Sequence, residues 1–519
     1  MKAQDNHSLI GQLFMPRLEV SKYEEDLEYR RSIEDLIGEG MVGGFCVFGG
    51  TVESLPIILG ELQALAEKSS LPKLLMAADC EWGLPMRLDR GGTEFPHLMA
   101  LERMGDQDGI RKVAAAIGRE MSALGLHWNF APVADVNSNP DNPIINIRAF
   151  SGDPEVVSRC AQSFFEGLES VGIISTAKHF PGHGDTNIDS HLALPLIAKS
   201  QDEFDQTELL PFKELISRGI PSIMTGHIAA PKLAKSLGAS EGEMTLPATI
   251  SPYLTERLLR KELHFDGVII TDSLEMHGLR TLVEDPGEIA VRAFLAGADL
   301  LLMPTDPIAA HKGLLKAVDE KRIPLDWVSQ SVARVNNLRL KYLNDRPLHA
   351  KVEWLIHEQL ADKAGIESLE SLGEVPKPLL LSSVIIFAAG TESEKEKRDM
   401  LQGFFFSELP DLSVNIFIGG LPERIYPVGT SPLIVTLHRP RGALTADRTS
   451  GSIDASIQKI VDMFIQKRIQ PAGIIAIGDP YSADRFLDLN PGFVIKTYSD
   501  SKPSINALLQ KLESKIRTI

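Results

Sequence analysis

The chain has 519 residues, 43% of them hydrophobic and 24% charged, and 53 Lys and Arg against 70 Asp and Glu give a formal net charge of −17. That composition supports a sizeable core and excludes disordered and fibrous classes. The acid excess is spread along the chain and would repel a phosphate backbone, so nucleic acid is not an expected partner. Cys46, Cys80 and Cys160 are widely spaced, with no CxxC or zinc pattern, and read as thiols of a reducing compartment, the cytoplasm. No secretory leader is visible before Met15, and apolar runs such as residues 300–303 fall far short of the ~20 residues that span a bilayer.

In chain order, short apolar or β-branched runs at 43–48, 74–78, 127–130, 173–177, 221–225, 267–271 and 298–303 predict strands. The stretches 106–124, 153–171 and 201–218 between them carry one apolar face at helical spacing. Strand and helix in alternation imply a parallel sheet with crossover helices, and the length suits an α/β fold built on a TIM-like (β/α)8 barrel over residues 1–345. A helix is predicted over 326–342, then a linker over 346–376. Further strand runs at 379–387, 414–418, 433–437, 473–477 and 493–498, with a helix over 453–466, predict a smaller three-layer α/β sandwich over 377–519. It carries no Gly-rich phosphate signature.

The ends of the barrel strands point to chemistry. Asp79 and Glu81, Asp135 and Asn137, Lys178 and His179, His227, and Asp272 all lie just past predicted strand C-termini. Those ends converge on the mouth where such barrels hold their active sites. The densest segment, residues 178–191, packs Lys178, His179, His183, Asp185, Asp189 and His191 around Gly182 and Gly184, which reads as a mobile loop. Asp189 spaced two from His191 could fix an imidazole tautomer and leave the other nitrogen to exchange protons near neutral pH. Lys178 could contact substrate or pair with a neighbouring carboxylate, and His183 and Asp185 could be solvated loop residues. The imidazoles and carboxylates also suit zinc or iron. Against a metal, no HExxH is present and a Gly-rich loop holds ligands poorly, so neither metal nor cofactor is expected.

Asp272 ends the buried run 267–271. It could attack an anomeric carbon, hold a cation or cap a short helix, with Glu275 as the rival carboxylate. In the segment 79–96, Asp79, Glu81, Trp82 and Arg87 form the mixture of acceptors, donor and apolar face that a sugar site uses, although Trp82 could equally be core. Arg148 closes a loop of Asx and Pro turns and could clamp substrate or pair with Asp135.

Taken together, Lys178-His179-Phe180-Pro181-Gly182-His183-Gly184 with Asp189-Ser190-His191, Thr271-Asp272-Ser273-Leu274-Glu275-Met276, the 78–96 and 135–154 segments and Met224-Thr225-Gly226-His227-Ile228 resemble glycoside hydrolase family 3, in its β-N-acetylglucosaminidase branch. The resemblance runs from about residue 40 to 305 in the family's order. It implies that Asp272 is the nucleophile, His191 the general acid/base and Asp189 its orienting carboxylate. Asp79, Arg87, Arg148, Lys178, His179 and His227 would bind the sugar. The implied activity is retaining exo-cleavage of terminal β-linked GlcNAc from muropeptides or related conjugates. A GlcNAc phosphorylase, a β-glucosidase-type member, a silent GlcNAc-binding protein and a metal-dependent hydrolase are the alternatives. The expected partner is a small carbohydrate met by a monomer. The indole of Trp82, where many members carry glycine, bears on the aglycone side.

Overall fold

The computed structural model describes residues 6–186, 194–343, 352–377, 379–388, 392–409, 412–418, 431–438 and 450–516. Asp189 and His191 lie outside the described residues. Contacts sort the chain into two compact units: Met1–Thr93, Ile110–Asn139 and Ser151–Trp354 form the first, and Glu94–Gly109, Pro140–Phe150 and Leu355–Ile519 the second.

The first unit is a closed parallel barrel. Strands β1 (Phe14–Met15), β2 (Arg17–Glu19), β3 (Gly44–Phe48), β4 (Leu75–Ala78), β5 (Trp128–Asn129), β6 (Ile174–Phe180), β7 (Ser222–Thr225), β8 (Val268–Thr271) and β9 (Leu301–Leu302) follow one another in space as in sequence. β1 and β2 flank Pro16, which has no N–H to give the ladder, and act as two halves of one strand. Closure comes from Ile270 bridging Leu300 and from β9 pairing in parallel with β1, Phe14 against Leu301. The sequence reading missed this first strand because it is short and broken by proline.

Leu75, Ala77, Trp128, Phe130, Ile174, Met224, Val268 and Ile270 fill the interior, the layered packing such a barrel requires. Trp128 keeps its indole N–H satisfied by donating to Thr176 Oγ1 at 2.6 Å. The helix Leu325–Leu343 covers the N-terminal end. From it, buried Arg339 donates to the carbonyls of Lys73 and Gly43 at 3.1 and 2.9 Å, where β3 and β4 begin. These bonds fix the helix to the end where the strands begin, and the polar groups named from the sequence gather at the opposite, C-terminal ends. The segment 201–218 forms two helices, Gln201–Gln206 and Leu209–Ser217.

The second unit holds β10 (Glu370–Leu372), β11 (Ser383–Ala388), β12 (Ser413–Ile418), β13 (Leu433–His438), β14 (Gly473–Gly478) and β15 (Val494–Lys496) in the order β10-β15-β14-β13-β11-β12. All pairs are parallel except β10 with β15. Alternate residues of β11 face opposite layers: Val384 and Ile386 pack with Leu401, Phe405 and Leu508, while Ile385 and Phe387 pack with Ile457, Val461 and Phe464. A sheet covered on both faces needs apolar residues at every position, which is why these strands read as unbroken hydrophobic runs. Among the described residues no helix is long and apolar enough to cross a membrane.

Candidate active site

Residues just past the C-terminal ends of β4, β7 and β8, and the last residues of β6, carry the titratable groups of the barrel mouth. Strand β6 runs three residues beyond the predicted end but is irregular between Ala177 and Phe180; there Lys178 bridges Val133, and the His179 N–H turns to the Asp135 side chain instead of the ladder. Lys178, 1% exposed, donates to Asp79 Oδ1 at 2.7 Å and lies 2.8 Å from Glu81 Oε1. Arg87 donates to the other Asp79 oxygen and stacks on Phe48, 4.8 Å from the ring centroid. Two cations and two carboxylates balance one another, as burial demands. Burial pushes the Asp79 carboxyl up, but Arg87 and Lys178 outweigh it and hold the group far below the usual carboxylate range. Lys178 therefore does pair with neighbouring carboxylates, and the pairing presents Asp79, with 16% of its side chain accessible, as a fixed acceptor.

Asp135 organises the turn after β6. Its Oδ1 accepts from the backbone N–H of His179 at 3.1 Å and of His183 at 2.7 Å, and its Oδ2 lies 2.7 Å from His179 Nδ1. An imidazole so held has Nε2 directed away from the carboxylate, and its orientation is set. His183 is 3% exposed, not a solvated loop residue; its Nδ1 meets Thr186 Oγ1 at 2.9 Å. Burial pulls its pKa down to about 4, so the ring is neutral at pH 7. The glycines here serve close packing rather than mobility. A Cβ on Gly184 would sit 1.7 Å from the Val136 carbonyl oxygen, and one on Gly182, at φ +128°, would sit 2.6 Å from Glu208 Cβ. Asp185 pairs with Lys199 at 2.9 Å.

Asp272 emerges from β8, where its N–H donates to Thr225 O at 2.9 Å, and its Oδ1 accepts from Ser273 N at 2.7 Å. Burial pushes this carboxyl up, yet the charges of His227 and His179, the Ser273 N–H and Lys178 together keep it below its ordinary value. It is held as an anion just past the end of β8. His227, 1% exposed, donates from Nε2 to the Ser273 carbonyl at 2.7 Å, while Nδ1 meets Thr249 Oγ1 at 2.7 Å. Both ring nitrogens thus face protein. A ring held on both edges in this way braces the segment bearing Asp272. Glu275 turns to Arg17, 3.2 Å away on β2, which separates it from the role of Asp272. Trp82 is 8% exposed and belongs to the core.

Arg148 lies on the 3-10 turn Asn146–Arg148 of the second unit, where its Nη1 donates to Ile144 O at 3.2 Å. The first unit brings together Asp79, Arg87, Lys178, His179 and Asp272. Sequence reasoning left Asp135 and Glu81 without firm roles, although their places after predicted strands were the signal. Among the described residues no group of three or more His, Cys, Asp or Glu is spaced to hold a metal ion.

The Glycosyl hydrolase family 3 N terminal domain model matches residues 7–338. A Beta-hexosaminidase A from Pseudoalteromonas piscicida is 38% identical over 333 residues, 60% of this chain and 55% of that protein, so the chain matches only about half the length of this relative. A Beta-hexosaminidase from Hydrogenovibrio crunogenus is 31% identical over 320 residues, 59% of this chain and 84% of that one. The solved glycoside hydrolase family 3 β-N-acetylglucosaminidase from Paenibacillus sp. is similar over 99% of this chain and 98% of its own, with TM-score 0.82 and 28% identity.

Proposed function

This chain belongs to glycosyl hydrolase family 3, and from that premise we propose that it is a retaining exo-β-N-acetylglucosaminidase removing terminal β-linked GlcNAc from muropeptides or related glycoconjugates in the cytoplasm. The observation that carries the reading is the Asp272 carboxylate, held below its ordinary pKa by the charges of His227, His179 and Lys178 and oriented by the Ser273 N–H. A nucleophile has to be anionic before substrate arrives, and the depressed pKa of Asp272 supports that reading.

In the proposed reaction Asp79, Lys178, His179 and Arg87 hold the non-reducing-end sugar. Asp272 attacks C1 as His191, oriented by Asp189, gives its proton to the leaving oxygen. His191 then takes a proton from water, which attacks C1 and frees Asp272. The paired Asp79 and Lys178 suit hydroxyl recognition, because a carboxylate accepts and an ammonium donates in fixed directions. The names of the hexosaminidase relatives support the choice of sugar.

The test is hydrolysis of aryl β-GlcNAc, β-glucose and β-xylose glycosides with and without phosphate, then trapping with a slow 2-fluoro sugar and peptide mapping. The expected result is free GlcNAc in both buffers and label on Asp272, with Asp272→Ala losing more than about a thousandfold in turnover. Sugar 1-phosphate as main product, or label elsewhere, would overturn the proposal.

A further inference from the structure

Strand register puts an aromatic ring among the charges of the barrel mouth. Cys46 belongs to the packed interior, so Phe48, two residues on at the end of β3, shares its inward face and packs against the same cluster. In the ladder Arg17 stands opposite Cys46 and Glu19 opposite Phe48. Two guanidinium groups lie over the Phe48 ring: that of Arg17 is 4.2 Å from the centroid and that of Arg87 is 4.8 Å from it. Each is matched by carboxylates of its own. Arg17 donates to Glu19 Oε1 at 2.8 Å and lies 3.2 Å from Glu275 Oε2, while Arg87 donates to Asp79 Oδ2. The backbones are laced together as well. The Gly49 N–H donates to Arg87 O at 3.0 Å, the Gly50 N–H donates to Asp89 Oδ2 at 2.8 Å, and Gly50 O accepts from the Asp89 N–H at 2.9 Å. Both glycines stand at positive φ, +74° and +84°, so the chain leaving Phe48 turns at once into contact with the segment that bears Arg87.

Hydrogen bonds alone under-determine the Arg87 side chain. Only 8% of it is accessible, yet its buried Nε has no acceptor among the described residues, and its Nη1 reaches the Met86 carbonyl at a long 3.4 Å. What orients the group is Nη2 on Asp79 at one end and the planar face on the Phe48 ring. A guanidinium is weakly hydrated and stacks well on an aromatic face, whose negative quadrupole stands in for the water that burial removes. The Arg17 Nε is likewise buried without an acceptor among the described residues, so both cations lean on the same ring. An aliphatic side chain would fill the space and offer neither cation an electrostatic partner. With Arg87 released, Asp79 would keep Lys178 on Oδ1 and lose the contact that directs Oδ2.

We propose that Phe48 is a positioning residue for Arg87, and through it for the Asp79 carboxylate, acting by its aromatic face rather than by its bulk. The inference rests on the reading of Asp79 and Arg87 as sugar ligands. The test is KM and kcat on an aryl β-GlcNAc glycoside together with the inhibition constant of free GlcNAc, folding of each full-length variant being followed by near-UV circular dichroism. Phe48→Leu is expected to raise KM and the inhibition constant about fivefold, the size of a cation–π contact at a partly exposed site, with kcat little changed. Phe48→Tyr, which keeps the face, is expected to recover most of that loss. Adding Phe48→Leu to Arg87→Met should cost nothing further, because the group being positioned is already gone. Should Phe48→Leu fail to fold, Phe48→Met, an unbranched apolar replacement, carries the test with the same expected rise. Multiplicative losses in the double variant, as a ring touching the sugar directly would give, would overturn the inference, and so would a Phe48→Tyr enzyme as impaired as Phe48→Leu. A weakly binding Arg87→Met enzyme beside Phe48→Leu and Phe48→Met enzymes that bind GlcNAc normally would sink the inference alone. An Arg87→Met enzyme with wild-type binding would sink the reading of Arg87 as a sugar ligand and the inference with it.

Discussion

Replacing Lys178 by Met separates the structural from the recognition role of the buried quartet. The ammonium lies 2.7 Å from Asp79 and 2.8 Å from Glu81, with 2% of its side chain accessible. At an effective dielectric constant of about 20 each such pair attracts by about 6 kcal/mol, and desolvation takes back several kcal/mol per ion. Lys178→Met removes the ammonium that both carboxylates contact, so the expected loss is that of a broken buried pair, about 3–5 kcal/mol. Adding Glu81→Gln restores neutrality and should recover about half of it. The pH dependence follows from Asp79. Its folded pKa is depressed, so its stabilisation is complete above the unfolded value of about 3.9 and is lost as pH falls toward the folded one. In Lys178→Met the depression is smaller, and the acid limb of the stability curve moves to higher pH. Urea unfolding followed by tryptophan fluorescence measures all three enzymes. A loss under about 1 kcal/mol for Lys178→Met, or a double variant less stable than the single, would refute the charge-balance reasoning.

Other consequences are as direct. His183 has its folded pKa depressed from 6.5 to about 4, so the unfolded chain binds the extra proton between those values and stability rises with pH across that window. His183→Gln should flatten the slope, which reaches about 1.4 kcal/mol per pH unit at its steepest; an unchanged slope in urea titrations between pH 4.5 and 6.5 would contradict the burial argument. Gly184→Ala drives a methyl group into the Val136 carbonyl and should cost at least about tenfold in kcat/KM as the turn shifts His183 and His179; near wild-type rates would show that the turn can relax. His191→Ala should slow glycosides with poor leaving groups about a hundredfold or more and activated phenyl glycosides far less. Equal losses across a leaving-group series would remove His191 as the acid.

Much of the barrel could be read from the sequence because a parallel strand buried on both faces has to be apolar throughout, and 74–78 and 267–271 announce themselves that way. Arg17 and Phe48 show what could not be read. The first strand is short and split by Pro16, and its Arg17 takes up the rival carboxylate Glu275 from the far end of the chain order. Lys178 was legible as a group at the mouth. Its two acidic partners were not, since Asp79 and Glu81 lie about a hundred positions away and pairing across a barrel leaves no local pattern. The Pro-Gly-His-Gly run misled in an instructive way. Glycine permits mobility and permits close approach with equal ease, and only the neighbouring Val136 carbonyl and Glu208 side chain decide between them.

The same distinction explains how the site divides its labour. Groups carried by strand ends, Lys178 and Asp272, are held by ladder bonds that the barrel supplies at no extra cost in ordering. Groups carried by connections need a second set of contacts, because a loop residue that must keep its direction has to be ordered by something outside the loop. Asp135 supplies that for His179 and His183 with one carboxylate, and His227 supplies it for the segment after Asp272 by bonding the Ser273 carbonyl. A site assembled this way is expected to respond unequally to damage. Substitutions beneath strand-borne groups reduce stability first and activity with it, whereas substitutions beneath loop-borne groups reduce sugar affinity while the fold persists.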